Sequence, residues 1–436
     1  MKRTLSCLFL ISFLSLLSSE LLAQEVKISA ELRPRFEYRH GYKTLFPDNQ
    51  SPANFISQRT RLNTFFANKS FEVYLSLQDV RVWGDVNQLN TSDINGLSVH
   101  EAWGLVYFGE YFSLKIGRQE IIYDNHRIFG SVGWAQQARS HDAAIVGVTP
   151  AENHKIEIGV AYNAMQESLY KVIYENTNYK ALQMVHYHGD FGKSGLSVLF
   201  LNNGMAYDAD ADTAIYAEKV AYSQTFGGLY SYKGDKTKLN ISSYFQGGKN
   251  RANNDLAAFY FAGDIAFNLV KNFSFGIGGE YLSGTATQDM NTAGEKDKSF
   301  TPFYGTNHKF NGWMDYFYVG NHGGNVGLVD IYVPLVFKVK KLTFTLIPHY
   351  LLSAATVSKQ VEAGREINSW EEYSSGLGTE IDFAIGYAVT DGVIISGGYS
   401  QMLATETMQV LKGGNYKNSN NWGWIMVTFK PTLYSK

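Results

Sequence analysis

The stretch Val26-Lys27-Ile28-Ser29-Ala30-Glu31-Leu32-Arg33-Pro34-Arg35-Phe36-Glu37-Tyr38-Arg39 alternates apolar and polar residues without a lapse. One face holds Val26, Ile28, Ala30, Leu32, Pro34, Phe36 and Tyr38; the other holds only polar or charged side chains. A period of two marks a β-strand with two unlike faces. Soluble strands average about 5–6 residues, whereas a tilted strand crosses a bilayer with about 9–11. This strand is long enough to span. Its charged face needs water or partners, and its apolar face needs lipid or a core. Pro34 removes a ladder donor, so a bulge is expected there.

The pattern recurs down the chain. Val329 to Phe337 alternates with Asp330, Tyr332 and Lys338, and Leu342 to Tyr350 with Thr343, Thr345 and His349. Leu377 to Tyr387 alternates with Glu380 and Asp382, and Ile156 to Tyr162 with Glu157, Gly159 and Asn163. Between strands, short turns near 68–69, 109–110, 150–153, 189–194, 234–235, 271–272, 340–341 and 390–392 alternate with longer polar stretches. The longer ones lie at about 41–54, 84–96, 125–136, 166–177, 205–214, 249–254, 287–325, 357–373 and 406–417. A sandwich has no reason to sort its connections by parity; a transmembrane barrel does. Nine long and eight short connections give eighteen strands with both termini on one side. The expected fold is all-β: a transmembrane antiparallel β-barrel of about 18 strands, with short periplasmic turns and long extracellular loops.

Composition agrees. The 436 residues are 45% hydrophobic and 15% aromatic, with 41 Gly and 8 Pro, which excludes disordered and collagen-like chains. A mean hydropathy of −0.19 argues against a bundle of transmembrane helices. Lys2, Arg3 and the apolar run Leu8–Leu17 read as a secretory signal peptide over residues 1–23, leaving 24–436 as a single outer-membrane β-barrel domain. The one cysteine, Cys7, falls inside the signal, so disulfides and thiolate metal sites are excluded. Removing Lys2, Arg3 and Glu20 from 38 basic and 40 acidic residues leaves 36 and 39, a balance that predicts no nucleic-acid partner. The expected partners are outer-membrane lipid, small polar or anionic solutes and the barrel-assembly machinery. The expected location is the cell outer membrane.

Arginine is unevenly spread. Arg33, Arg35, Arg39, Arg59, Arg61, Arg81, Arg118, Arg127 and Arg139 crowd the first third of the chain. An arginine facing lipid costs about 2–4 kcal/mol at the midplane, so these are expected to line the lumen. Asp79, Arg81 and Arg118 fall on the wrong parity, which bulges would correct. Glu101 and Asp142 are candidate partners on the same wall. Two roles fit the set: a salt-bridge ladder bracing the wall, or a basic surface that guides anions by bidentate contacts. Asp264, Glu280, Asp330, Glu380 and Asp382 suggest an acidic wall opposite. His186 and His188 share a strand face and His141 adjoins Asp142, but no catalytic motif accompanies them, so no enzyme, cofactor or metal site is expected. Asp208, Asp210 and Asp212 imitate the start of a calcium loop, which fails at Thr213 and Lys219.

Glu31 to Arg39, Gln58-Arg59-Thr60-Arg61, Gln78-Asp79-Val80-Arg81-Val82-Trp83, His100-Glu101-Ala102-Trp103 and Lys115 to Gln119 together resemble successive strands of the alginate-export porin family. Arg127, Trp134 to Asp142 and Thr306 to Phe317 extend the resemblance. It implies a monomeric eighteen-stranded barrel and lumenal roles for Arg33, Arg35, Arg59, Arg61, Arg81, Arg118 and Arg139 as contacts to carboxylates. The expected function is a porin-like channel for passive passage of polar, anionic, oligouronate-like solutes through an arginine-lined lumen. Two readings remain beside it: a barrel hydrolase, and an adhesive barrel plugged by the 287–325 loop.

Overall fold

A computed structural model describes residues 24–436 apart from 91, 95, 176, 210–217, 291, 293, 323–324 and 364–365. The sheet begins with β1 Glu25–His40, β2 Ala53–Ala67, β3 Phe71–Val82, β4 Ser98–Phe108, β5 Phe112–Gln119 and β6 His141–Ala151. It continues with β7 His154–Tyr162, β8 Ala181–Phe191, β9 Ser194–Asp208, β10 Glu218–Lys233, β11 Thr237–Lys249, β12 Asp255–Val270 and β13 Phe273–Leu282. It ends with β14 (Leu328–Tyr332 and Leu335–Val339), β15 Leu342–Leu352, β16 Gly376–Thr390, β17 Val393–Ala404 and β18 (Asn420–Phe429 and Thr432–Ser435). Each strand pairs antiparallel with its sequence neighbours, and β18 returns to β1, with Glu37 opposite Trp424 and Lys27 opposite Ser435. Closure leaves no free edge, so every strand satisfies its backbone groups within the sheet.

β14 and β18 are interrupted at Pro334 and Pro431, where no N–H is available for the ladder. Residues after Phe429 continue β18 along β1, with Tyr434 opposite Ile28. The bulge expected at Pro34 is absent: β1 and β2 stay in register from Glu25↔Ala67 to Arg39↔Ala53. The outer face is an apolar belt, with Leu32, Leu62, Val73, Ile116, Phe245, Phe261, Ile277, Phe383 and Ile425 among its exposed side chains. On the other face of the wall, Leu182, Met184, Leu199, Leu201, Tyr260 and Trp422 are buried.

The parity of the connections is as the sequence predicts. One end of the barrel carries the short turns; the other carries the long loops, including a hairpin over Val357–Ala363 and Glu366–Tyr373 and a helix, α1 Glu406–Lys412. Asp208 ends β9, while Asp210 and Asp212 lie outside the described residues, as does the segment read as a signal peptide.

Candidate functional site

Two long loops, 120–140 and 283–327, fold inward and pair with each other. Gly130 N donates to Tyr304 O at 2.9 Å, Tyr304 N to Ile128 O at 3.0 Å, and Thr306 N to His126 O at 2.9 Å. The Arg139 guanidinium adds a bond to Gly305 O at 3.1 Å. At their meeting point Trp134 and His308 stack 4.6 Å apart, with Trp424 edge-on to Trp134 at 4.9 Å. Together they make one obstruction inside the barrel.

Period-two alternation turns Glu31, Arg33, Arg35 and Glu37 of β1 and Arg59 of β2 inward, where all five are buried. They grip the carbonyl side of the 120–140 loop. Arg33 donates to Gly133 O at 2.8 Å, Trp134 O at 3.1 Å and Gln136 Oε1 at 2.9 Å. Arg35 donates to Trp134 O at 2.6 Å and lies 4.1 Å from the centre of the Trp134 ring. Arg59 pairs with Glu31 at 2.6 Å. Glu37 takes Arg35 at 2.8 Å, Arg39 at 2.9 Å and the Trp422 indole at 3.0 Å. Gln136 answers with its own amide, donating to Ser57 Oγ at 3.0 Å. Arg61 bonds Gln78 at 3.0 Å. Guanidinium donors suit this task because a planar fork can satisfy several carbonyls at once.

The acidic side chains grip the amide side of the 283–327 loop. Glu380 accepts from Met314 N at 2.7 Å and Asp382 from Trp313 N at 3.1 Å. Asn311 donates to Glu280 at 3.0 Å and Asp330 at 3.2 Å, and His349 sits 2.9 Å from Asp330. Arg127 reaches across from the other loop to Glu280 at 2.8 Å, and is 1% exposed. Gly312 has φ +83°, and a Cβ there would lie 2.5 Å from the Glu380 carboxylate. Only glycine lets the loop backbone come this close. Asp264, by contrast, takes its hydrogen bonds from Asn240 of β11 and meets the loop through the charge of Lys309. The acidic arc is not squarely opposite the basic one: counted through the closure, β13 with Glu280 stands six strands from β1 and β16 stands three, where nine would be directly across.

Four expected lumenal charges, Asp79, Arg81, Arg118 and Asp142, lie elsewhere. β2 and β3 keep register through Thr60↔Asp79 and Gln58↔Arg81, so Asp79 and Arg81 stay on the parity of Leu75 and Leu77, the outer face. Arg81 there chelates Asp79 at 2.7 Å and also pairs with Asp93 of the 83–97 loop. No slip occurs at Gly117 either: Arg118 pairs opposite Asp142 in an unbroken register and bonds it at 2.9 Å, with both side chains exposed. These charges sit at the long-loop ends of their strands, beyond the apolar belt, where burial in lipid is not demanded. Glu101 faces inward and accepts from the backbone of Glu120 at 2.9 Å.

One cavity of about 440 Å³ stays open at the mouth, lined by Arg39, Tyr42, Lys43, Trp134, His308 and Tyr318 among others. Asp315 within it is engaged by Tyr42 and by His308, the latter at 2.8 Å. Arg39 lies over Tyr42 and Phe55 at 4.2 and 4.7 Å. Lys43 and Tyr42 were missed by sequence reasoning because they follow β1 in a loop with no period to read.

A closed antiparallel barrel of eighteen strands with an apolar belt and inward-folded loops is the architecture of outer-membrane porins, and it places the chain in the cell outer membrane. Its fold is similar to those of solved porins from Pseudomonas. A BenF-like porin from Pseudomonas fluorescens Pf-5 aligns at TM-score 0.59 and 9% identity, covering 94% of this chain and 99% of that one. OccK8 (OprE) of Pseudomonas aeruginosa aligns at 0.58 and 12%, covering 94% and 98%. OpdK of the same organism, solved with vanillate, aligns at 0.57 and 9%, covering 94% and 99%. No family model matches the sequence, and no curated protein does.

Proposed function

We propose that this protein is an outer-membrane porin for passive passage of small polar solutes, with a preference for anions. The observation that carries the reading is the mouth cavity, where Arg39 and Lys43 stand beside aromatic faces while its inner acids, Glu37 and Asp315, are already bonded. Cations on the wall of a low-dielectric passage raise the local concentration of anions. The buried arginines serve this only indirectly, by holding the 120–140 loop so that the mouth keeps its shape. Support also comes from the porin folds above, one of them solved with a carboxylate, vanillate. Oligouronates, suggested by the alginate-export resemblance, are the longer members of the same solute class. Passive diffusion needs no cofactor or catalytic group. Outer-membrane lipid and the barrel-assembly machinery are the partners that such a barrel implies.

The test is reversal potential in a planar bilayer under a salt gradient, followed by block with carboxylates of increasing length. Anion selectivity that shifts toward cations in Arg39→Gln/Lys43→Gln is expected. A cation-selective wild-type channel, or one indifferent to this double substitution, would refute the reading.

A further inference from the structure

His100 is the extra residue of a β-bulge. Ser76 pairs with Glu101 and Leu77 with Val99, so His100 has no cross-strand partner. A bulge re-aims side chains, and here the imidazole turns inward beside Glu101, 3% exposed. It stands between the two roots of the 120–140 loop. Nε2 lies 2.8 Å from Oε1 of Glu120, the residue after β5. Nδ1 lies 3.1 Å from Oγ of Ser140, the residue before β6. The Ser140 hydroxyl gives its one proton to His100 O at 2.6 Å. Toward the ring it therefore accepts from Nδ1–H, and with no cation bound the contact to Glu120 needs a second proton on Nε2, which a cation would displace. Nε2 is left as the nitrogen aimed at the carboxylates. Glu101 is held in turn, its Oε2 accepting from Glu120 N at 2.9 Å and from the Trp103 indole at 3.2 Å.

One ligand atom from each of His100, Glu101 and Glu120 lies within 4.8 Å of the other two. We propose that these residues bind a first-row divalent cation of the Zn²⁺ type at the root of the loop that narrows the lumen. One imidazole and two carboxylates match the borderline character of Zn²⁺, and bonds of about 2.0–2.2 Å place tetrahedral donors roughly 3.3 Å apart. Small side-chain rotations close the observed spread to that value. Ser140 is the outer partner that fixes the tautomer and aims Nε2. Arg61, whose charge acts on Glu120, is bonded to Gln78 at 3.0 Å. A bound cation would join β4 to the start of the loop through the two glutamates, and so steady the obstruction. The sequence gives no sign of the site, because adjacent His100 and Glu101 would face opposite ways on a regular strand.

The measurement is titration of the detergent-folded barrel with Zn²⁺ by calorimetry and with Co²⁺ by visible absorption. Expected are one tightly held Zn²⁺ per barrel and a Co²⁺ ligand-field band that Zn²⁺ displaces. Ser140→Ala should weaken binding about tenfold, and His100→Gln or Glu101→Gln by at least ~100-fold. Glu101→Gln leaves the His100 bonds to Glu120 and Ser140 in place, so it decides the matter should His100→Gln not fold. His188→Gln, at the other end of the barrel, should change nothing. A wild-type barrel that binds neither metal, or one whose site survives Glu101→Gln, overturns the proposal and leaves a histidine–carboxylate ion pair.

Discussion

Arg33 and Arg39 share one face of one strand, yet their surroundings give them different work. Arg33 spends its donors on Gly133, Trp134 and Gln136, and charge-assisted bonds of this kind contribute about 1.5–3 kcal/mol each. Arg39 keeps a third of its side chain exposed in the mouth cavity and shares Glu37 with Arg35. Arg33→Met should therefore release the 120–140 loop, giving larger and noisier single-channel conductance with selectivity little changed. Arg39→Gln should leave unit conductance near wild type and reduce anion preference. Bilayer recordings separate the two, and identical phenotypes would show that the two arginines do not divide these tasks.

At the scale of elements, the inward loops depend on a few backbone approaches and on the docking of Lys412. Gly312→Ala meets both an unfavourable φ and the Glu380 carboxylate, so Met314 N should lose its acceptor. Each amide left buried without a partner costs about 1–3 kcal/mol. Faster hydrogen exchange at 311–316, with the barrel strands unchanged, is the expected outcome. The helix α1 covers the 283–327 loop through Lys412, whose Nζ donates to Asn321 O at 3.0 Å and packs by Phe317. Burial pushes this ammonium down from 10.5 to about 7. With α1 undocked, Lys412 would titrate near its ordinary value, so the undocked form holds more protons between the two. Docking therefore strengthens as pH rises from about 7 toward 10.5 and is flat below 7. Exchange protection of 406–412 followed against pH should show this rise, and Lys412→Met should abolish it. A rise that persists in Lys412→Met would assign the effect to another group.

As a whole molecule the protein is a closed wall that satisfies its own hydrogen bonds, with an interior filled by its own loops. Such a wall resists detergent unfolding at room temperature, so heated and unheated samples should migrate differently on gels. Co-migration would contradict a closed barrel. The sorting of connections by length also fixes which end is which. With Cys7 the chain's one cysteine, single cysteines introduced at Leu89 and Lys340 probe the two ends cleanly. Leu89 is 98% exposed in a long loop, and Lys340 occupies a short turn. An impermeant maleimide on intact cells should label the first and spare the second; the reverse would invert the topology.

Local periodicity was enough for the wall. Strict alternation in Val26–Arg39 and the parity of long and short connections determine strand number, face and closure, because lipid outside and water inside impose opposite demands on neighbouring residues. The same rule placed Arg33, Arg35 and Arg59 inside. It also placed Asp79, Arg81 and Arg118 outside, and the bulges invoked to rescue them do not exist, since strand ends beyond the apolar belt tolerate charge. The bulge at His100 left no mark on the pattern. Nor did the use made of the inward arginines, since Arg33 and Gln136 stand 103 residues apart. Which loops enter a barrel, and whose carbonyls meet which guanidinium, is decided by backbone groups that every residue carries alike. Only the assembled wall brings those groups within bonding distance.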